Sequence, residues 1–244
     1  MAVRVVGSRE EIRRARGELR RRGLDCLTPL PARILEALRL ARGTHVGDPV
    51  KSWDILETVR FVEHHVPRES PVLDMGAAHC EMLPVLHRLG YFDLTGIDLD
   101  PAVRGMPHAH AIRYVVGDFT ATPFADGSFA CATAISAIEH GFDAGRLLPE
   151  VARVLRPGGF FVASVDYWPE KIDTTGITPY GMTWTIFSRD ELRSTIEKAL
   201  RYGLAPVGEA HYEARERVAR WMGKEYTFAW LALRKVPRPA SAGT

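Results

Sequence analysis

From Pro71 onward the chain alternates short apolar runs with amphipathic stretches, and no other feature constrains its fold as tightly. The runs are PVLDM, LTGIDLD, AIRYVVGD, FACATAIS and GGFFVASVD, and between them lie helical patterns such as CEMLPVLHRLG and AGRLLPEVARVLRPGG. A strand that is apolar at nearly every position is buried on both faces, so it belongs in a sheet covered by helices on either side. Parallel neighbours need a long crossover, which the helical stretches supply. The expectation is an α/β fold around a doubly wound, mostly parallel sheet. A helix from about Arg189 to Leu200, opened by the capping-box pair Ser188 and Glu191, and two late strands near APVGEAHYE and YTFAWLALRK continue the rhythm.

The region ahead of Pro71 reads as helical. Ser8 and Glu11 have capping-box spacing, Ile12, Ala15 and Leu19 share a face, and Gly23 is a stop signal. LPARILEALRLARG predicts a second helix ending at Gly43. Asp48 and Pro49 supply an N-cap and a first-turn proline for a third, on which Ile55, Val59, Val62 and Val66 line one side. The first helix is rich in arginine: Arg13, Arg14, Arg16, Arg20, Arg21 and Arg22. A solvated face is the simplest account of them, and docking to an acidic partner is the alternative.

Composition narrows the class. With 244 residues, 46% hydrophobic and 25% charged, the chain has the apolar content for one sizeable core, and a net charge of +2 gives no electrostatic motive for a nucleic-acid partner. The three cysteines, Cys26, Cys80 and Cys131, have no CxxC spacing, which suggests neither a disulfide framework nor a cysteine zinc site. MAVRVVGSREEIRR meets charge before any signal-peptide-like apolar run, and no later stretch has the roughly 18 apolar residues of a membrane span. A cytoplasmic protein without a membrane partner is expected.

In open sheets of this kind ligands sit beyond the carboxyl ends of the strands. The first apolar run leads into VLDMGAAHCEML. A pyrophosphate-binding turn would carry GxGxxG, so that phosphate reaches bare backbone at a helix N-terminus; this turn is DxGxAxC. An acid ahead of the glycine repels a pyrophosphate but suits a cofactor with a cationic amino-acid end and ribose hydroxyls, which points to S-adenosylmethionine. Gly76 allows close backbone approach, Ala77 and Ala78 keep the passage open, and Asp74 organises the loop. The second run ends in Asp98, where a carboxylate can take both ribose hydroxyls. The third is followed by Asp118, an acceptor for an adenine amino group, and by Phe119, which can pack beside the ring. Each acid taken singly is also explained as a cap or a turn residue; their order along successive strand ends favours an adenosyl ligand.

These residues resemble the class I S-adenosylmethionine-dependent methyltransferases, particularly their small-molecule branch, from about Trp53 to Leu233. The resemblance rests on VLDMGAA, GIDLDP, GDF, PFADGSFACATAISAIEH and EVARVLRPGGFFVAS. It implies a Rossmann-like, seven-stranded sheet with N-terminal helices. Residues 1–66 would form a helical segment that can cover the cofactor, 67–236 the core with an acceptor lid at about 167–188, and 237–244 a frayed tail. It places Asp74, Gly76, Ala77 and Ala78 around the methionine moiety, Asp98 and Leu99 at the ribose, Asp118 and Phe119 at the adenine, and Ser136 at the cofactor end of the fourth strand. Two glycines usual in the loop are replaced by Ala78 and Cys80.

Methyl transfer from a sulfonium is an in-line displacement in which the protein mainly aligns its reactants. An acceptor hydroxyl must still lose its proton, and His140, just past the fourth strand, is the candidate base or orienter, with a structural role capping the following helix as the alternative. Glu139 and His140 resemble the end of an ExxEH metal motif, but its first position is Ser136, so no metal is expected. Asp166, Tyr167 and Trp168 follow the fifth strand, and Tyr180 and Trp184 lie in the long aromatic segment PEKIDTTGITPYGMTWTIFSRDEL; with Glu139 they are the candidate acceptor contacts. Transfer to an oxygen or nitrogen of a small molecule, such as a sugar-containing or secondary metabolite, is the favoured function, with a homodimer left open. The alternatives are an RNA or protein methyltransferase docking through the arginine-rich helix, and a scaffold that keeps the fold without turnover.

Overall fold

A computed structural model of the protein describes residues 1–29, 31–32 and 45–236. The helix expected to end at Gly43 and the tail from residue 237 lie almost wholly outside the described residues. The parallel part of the sheet consists of β2 (Val72–Met75), β3 (Leu94–Asp98), β4 (Ile112–Val116), β5 (Phe129–Ile135) and β6 (Leu155–Tyr167). Their spatial order is β4-β3-β2-β5-β6, so strand order reverses at β2, whose Val72 faces Leu94 on one side and Cys131 on the other. Every residue of β2 and β5 is buried, as uninterrupted apolar runs require.

Helices cover both faces. On one, α1 (Arg9–Arg21), α2 (Ser52–His65) and α3 (Met82–Arg88) contribute Leu19, Val59 and Leu86 to one core; on the other, α4 (Ala144–Val154) and α5 (Arg189–Leu200) contribute Val151 and Ile196 to a second. The caps follow the sequence pattern. Ser188 and Glu191 close a full capping box on α5, and Asp48 accepts from Val50 N–H ahead of the turn that leads into α2. At α1 Ser8 accepts from Glu11 N–H, while the Glu11 carboxylate reaches back to Gly7 N–H.

Among the described residues nine strands, not seven, make up the sheet. The long β9 (Lys224–Lys235) runs antiparallel to β6, and its other edge carries β7 (Leu204–Pro206) and, further along, β1 (Val3–Val5). A short β8 (Ala219–Trp221) forms a hairpin with the start of β9. The two additional strands are three residues each, too short to show a period in the sequence. Through β1, α1 and α2 the described residues ahead of Pro67 join the same sheet and core as the rest.

Candidate active site

Reversal of strand order at β2 opens a crevice beyond the carboxyl ends of β2, β3 and β5, and the residues that line it come from all three. Asp74, near the end of β2, is buried and accepts from the Thr133 hydroxyl on β5 at 2.6 Å; its other oxygen has no well-formed hydrogen bond, although the Cys80 thiol stands beside it. Burial pushes this carboxyl up to about 7. The chain then turns at Gly76 with φ +84°, where a Cβ would lie 2.3 Å from that of Ala137, so both conformation and space demand glycine. Gly76 and Ala77 donate to the Ile97 carbonyl, and Ala78 N–H donates to the Asp98 carboxylate at 2.9 Å, tying the first loop to the end of β3.

Asp98 also accepts from Asp100 N–H at 2.8 Å. Next to it Leu99 is 52% exposed, an apolar side chain held open at the crevice. Asp118 lies two residues past β4 on the same edge. Burial raises its carboxyl, but hydrogen bonds from Thr120 and Arg146 outweigh that and hold it below the usual range. Phe119 beside it is half-buried. Asp74, Asp98 and Asp118 thus stand at one edge of three adjacent strands, with Asp74 and Asp98 in the closest relation.

The leading segment packs directly on this loop. Gly47 N–H donates to the His79 carbonyl at 2.7 Å, and His79 Nδ1 is 2.8 Å from the His45 carbonyl oxygen. Behind the loop, Arg16 of α1 forks onto both oxygens of the buried Glu81 and also bonds Ser52 and Asp25. Its neighbours are paired as well: Arg13 and Arg14 with Glu10, Arg20 with Asp25, and Arg22 with Glu63.

A second group of side chains gathers past β5 and β6. Ser136, at φ +46°, receives a hydrogen bond from Lys51, whose ammonium is also 3.3 Å from Asp166 and 3.6 Å from the centre of the Phe228 ring. Asp166 accepts in addition from the indole of Trp184 at 2.9 Å. Glu139 and Asp54 complete the group; they are 1% and 0% exposed, and no oxygen of either has a well-formed hydrogen bond, although the Ser164 hydroxyl lies beside Asp54. Burial, and then the charge of Asp166, raise the Glu139 carboxyl well above its ordinary value. Burial lifts Asp54 to about 7. Burial also works against the charge on Lys51, but Asp166, Asp54 and Glu139 outweigh it and keep the ammonium.

His140 is half-buried, its Nδ1 is unpartnered, and burial lowers its pKa, so the imidazole is neutral at pH 7. Its ring meets the edges of Tyr180 and Trp221 at 5.3 and 5.9 Å between centroids. The segment carrying Tyr180 and Trp184 is held against it: Gly141 N–H donates to the Thr183 carbonyl, and Thr185 N–H to that of Glu139. Tyr167 is not part of this group. Side chains alternate along a strand, so while Asp166 faces the cluster, Tyr167 points into the opposite core and donates to the Tyr212 carbonyl. Trp168 lies under the Arg217 guanidinium, 4.5 Å from its ring centre.

Sequence reasoning did not single out Asp54, Tyr226 or Trp221. Asp54 did carry a signal, since it stands four residues before Thr58 and eight before Val62, on the apolar side of α2. A surface groove of about 430 Å³ lined by His64, His65, Arg156, Phe160 and Arg234 opens at the other edge of the sheet, by the start of β5, and is separate from both groups. Among the described residues no three His, Cys, Asp or Glu side chains are arranged to hold a metal ion, and no helix is long and apolar enough to cross a membrane.

A family model for the methyltransferase domain matches residues 73–163, the stretch from β2 to the middle of β6 that builds the crevice. Residues 73–163 carry the methyltransferase domain. An uncharacterised methyltransferase of Mycobacterium sp. strain KMS is 35% identical over 118 residues, 47% of this chain and 46% of that protein. The match thus spans about half the length of this curated relative. Among solved structures, the 1,6-didemethyltoxoflavin-N1-methyltransferase of Burkholderia thailandensis is similar at a TM-score of 0.56 with 21% identity, covering 75% of this chain and 79% of its own. The geranyl diphosphate C-methyltransferase of Streptomyces coelicolor A3(2) is similar at a TM-score of 0.58 with 14% identity, over 91% and 98%. Both are likenesses of fold. One of those enzymes is named for a nitrogen and the other for a carbon, so the methyltransferase domain alone leaves the acceptor open.

Proposed function

We propose that the protein transfers a methyl group from S-adenosylmethionine to an oxygen or nitrogen of a small-molecule acceptor. The observation that carries this reading is the junction of the first two strand ends, where Ala78 N–H meets the Asp98 carboxylate beside a bend that only glycine can make. Support comes from the family match over the same residues and from solved neighbours of this fold whose crystals hold S-adenosylhomocysteine.

The residues fit such a cofactor. Asp98 accepts two backbone N–H groups and keeps lone pairs for ribose hydroxyls, since a carboxylate offers about four acceptor sites. Phe119 is the apolar partner for the adenine and Leu99 borders the ribose, with Asp118 fixing through Thr120 the turn that carries Phe119. Asp74, Gly76, Ala77, Ala78 and Ser136 are assigned to the methionine end. Bound S-adenosylmethionine supplies a methyl group on a cationic sulfur. The protein's part is to align the acceptor and receive its proton, and a neutral His140 with an unpartnered Nδ1 has the protonation state a base needs. The pairing of Arg13, Arg14, Arg16, Arg20 and Arg22 within the chain supports a small-molecule acceptor over a nucleic-acid partner docking on α1.

Isothermal titration with S-adenosylhomocysteine tests the cofactor assignment. Saturable binding is expected, and Asp98→Ala should weaken it; absence of binding at millimolar ligand rules out the reading, and unchanged affinity in the variant rules out the ribose assignment.

A further inference from the structure

Two buried carboxylates with no hydrogen-bond partner are expensive unless something supplies the missing donors. Asp54 and Glu139 come close to that state: no oxygen of either has a well-formed hydrogen bond, only the Ser164 hydroxyl lies beside Asp54, and both buried carboxyls interact electrostatically with Asp166. Against these three acids the cluster holds, among the described residues, a single cation, Lys51, and that cation is bound to Asp166 and Ser136. The acids are not arranged as metal ligands. Their lining is instead aromatic: ring contacts run without a break from Tyr180 through Trp221, Trp184 and Tyr226 to Phe228. Tyr180, at the outer end, is 77% exposed, while Phe228, at the inner end, is fully buried beneath the Lys51 ammonium. Carboxylates joined to aromatic faces form an environment that recognises organic ammonium groups, and the chain's own ammonium already uses it in this way.

We propose that the acceptor is an organic amine, whose ammonium enters along the Tyr180–Trp221 end of the aromatic wall and is held by Glu139 and Asp54. The assignment deepens the methyl-transfer reading by naming its substrate class, and it rests on that reading only for the transfer step, not for binding of the amine. His140, Lys51 and Tyr226 adjoin the same acids and Tyr180 stands at the entrance, so the groups that face the incoming charge are three acids, one amine, one imidazole and two phenols. An ammonium has no lone pair to offer. One N–H bond must therefore break, its proton forming an N–H bond on the neutral, unpartnered Nδ1 of His140, before the nitrogen can act as a nucleophile. Conversely, any proton that Glu139 or Asp54, both raised by burial, still holds must pass to water when the ammonium binds, so binding is coupled to proton release.

The test uses the full chain saturated with S-adenosylhomocysteine. Benzylamine, phenethylamine and tryptamine are titrated calorimetrically against the alcohols of the same three skeletons, in two buffers of different ionisation enthalpy at pH 7. At least one amine is expected to bind about tenfold or more tighter than its alcohol, with a heat that depends on the buffer. Glu139→Gln, near-isosteric and uncharged, should abolish both the preference and the buffer dependence; Asp54→Asn should reduce them, and retained thermal unfolding confirms that each variant is folded. Equal affinity for amine and alcohol, no binding of any amine, or an amine preference that survives both substitutions overturns the proposal. If S-adenosylhomocysteine fails to bind while an amine binds with the expected pattern, the cofactor reading falls and the amine site stands; if S-adenosylhomocysteine binds and no amine does, the amine site falls and the cofactor reading stands.

Discussion

Replacing Arg16 with methionine should destabilise the protein far more than a change within an arginine-rich surface helix would suggest. The guanidinium is 7% exposed and its partner Glu81 is 1% exposed, and the two meet in a fork. Methionine keeps much of the apolar bulk, and Asp25 keeps Arg20, so the cost falls mainly on Glu81, left as a buried carboxylate without its cation. Removing one partner of a buried ion pair costs about 3–5 kcal/mol. With a urea m-value of about 3 kcal/mol/M, the midpoint should fall by about 1–1.7 M. Arg16→Met combined with Glu81→Met removes both charges and should recover most of that loss, because an apolar pair carries no desolvation penalty. Equilibrium urea unfolding of the two single variants, the double variant and the parent closes the cycle. A loss under about 1 kcal/mol in the single Arg16 variant, or a double variant less stable than either single one, would refute the reasoning.

Three further outcomes are expected. Gly76→Ala forces a left-handed backbone, about 1–2 kcal/mol, and an overlap with Ala137, about 1–3 kcal/mol more, so urea unfolding should register a loss of about 2–5 kcal/mol; a parent-like midpoint contradicts the packing described. Asp54 keeps its proton in the fold to about 7 but ionises near pH 4 when unfolded, so the native state binds the extra proton between these values and stability drains away as pH rises through them. Asp54→Asn should flatten that slope by up to about 1.4 kcal/mol per pH unit. Asp118, Glu150 and Glu191, whose pKa values are lowered, give the opposite slope on the acid side and Asp74, also raised to about 7, the same slope, but in both proteins, so the difference between the two midpoint-against-pH curves reports Asp54 together with its coupling to Lys51 and Glu139; a flat difference is the negative result. Finally, the His140 ring protons, assigned by comparison with a His140→Gln spectrum, should titrate by NMR below the ordinary histidine value of about 6.5. A midpoint at or above that value removes the neutral-base assignment.

Much of this molecule is legible in one dimension because short-range rules decide it. Uninterrupted apolar runs specify strands buried on both faces, Ser188 and Glu191 specify a helix start, and an acid with a glycine two residues on specifies a bend at a strand end; none of these depends on what lies elsewhere in the chain. Asp74, Asp98 and Asp118 could be placed on one edge because parallel strands all end on the same side. What the residues do once there is a matter of long-range contact. Arg16 looks like its solvated neighbours until α1 docks and brings Glu81, 65 positions away, into its fork. Lys51, Asp54, Glu139 and Asp166 come from three separate stretches, and their charge balance exists only where those stretches meet. Tyr167 lost its expected place through the alternation of a strand, since one residue's step reverses the face. Local periodicity is set by backbone geometry and can be read from neighbours, whereas burial of a charge is set by whichever distant segment closes over it.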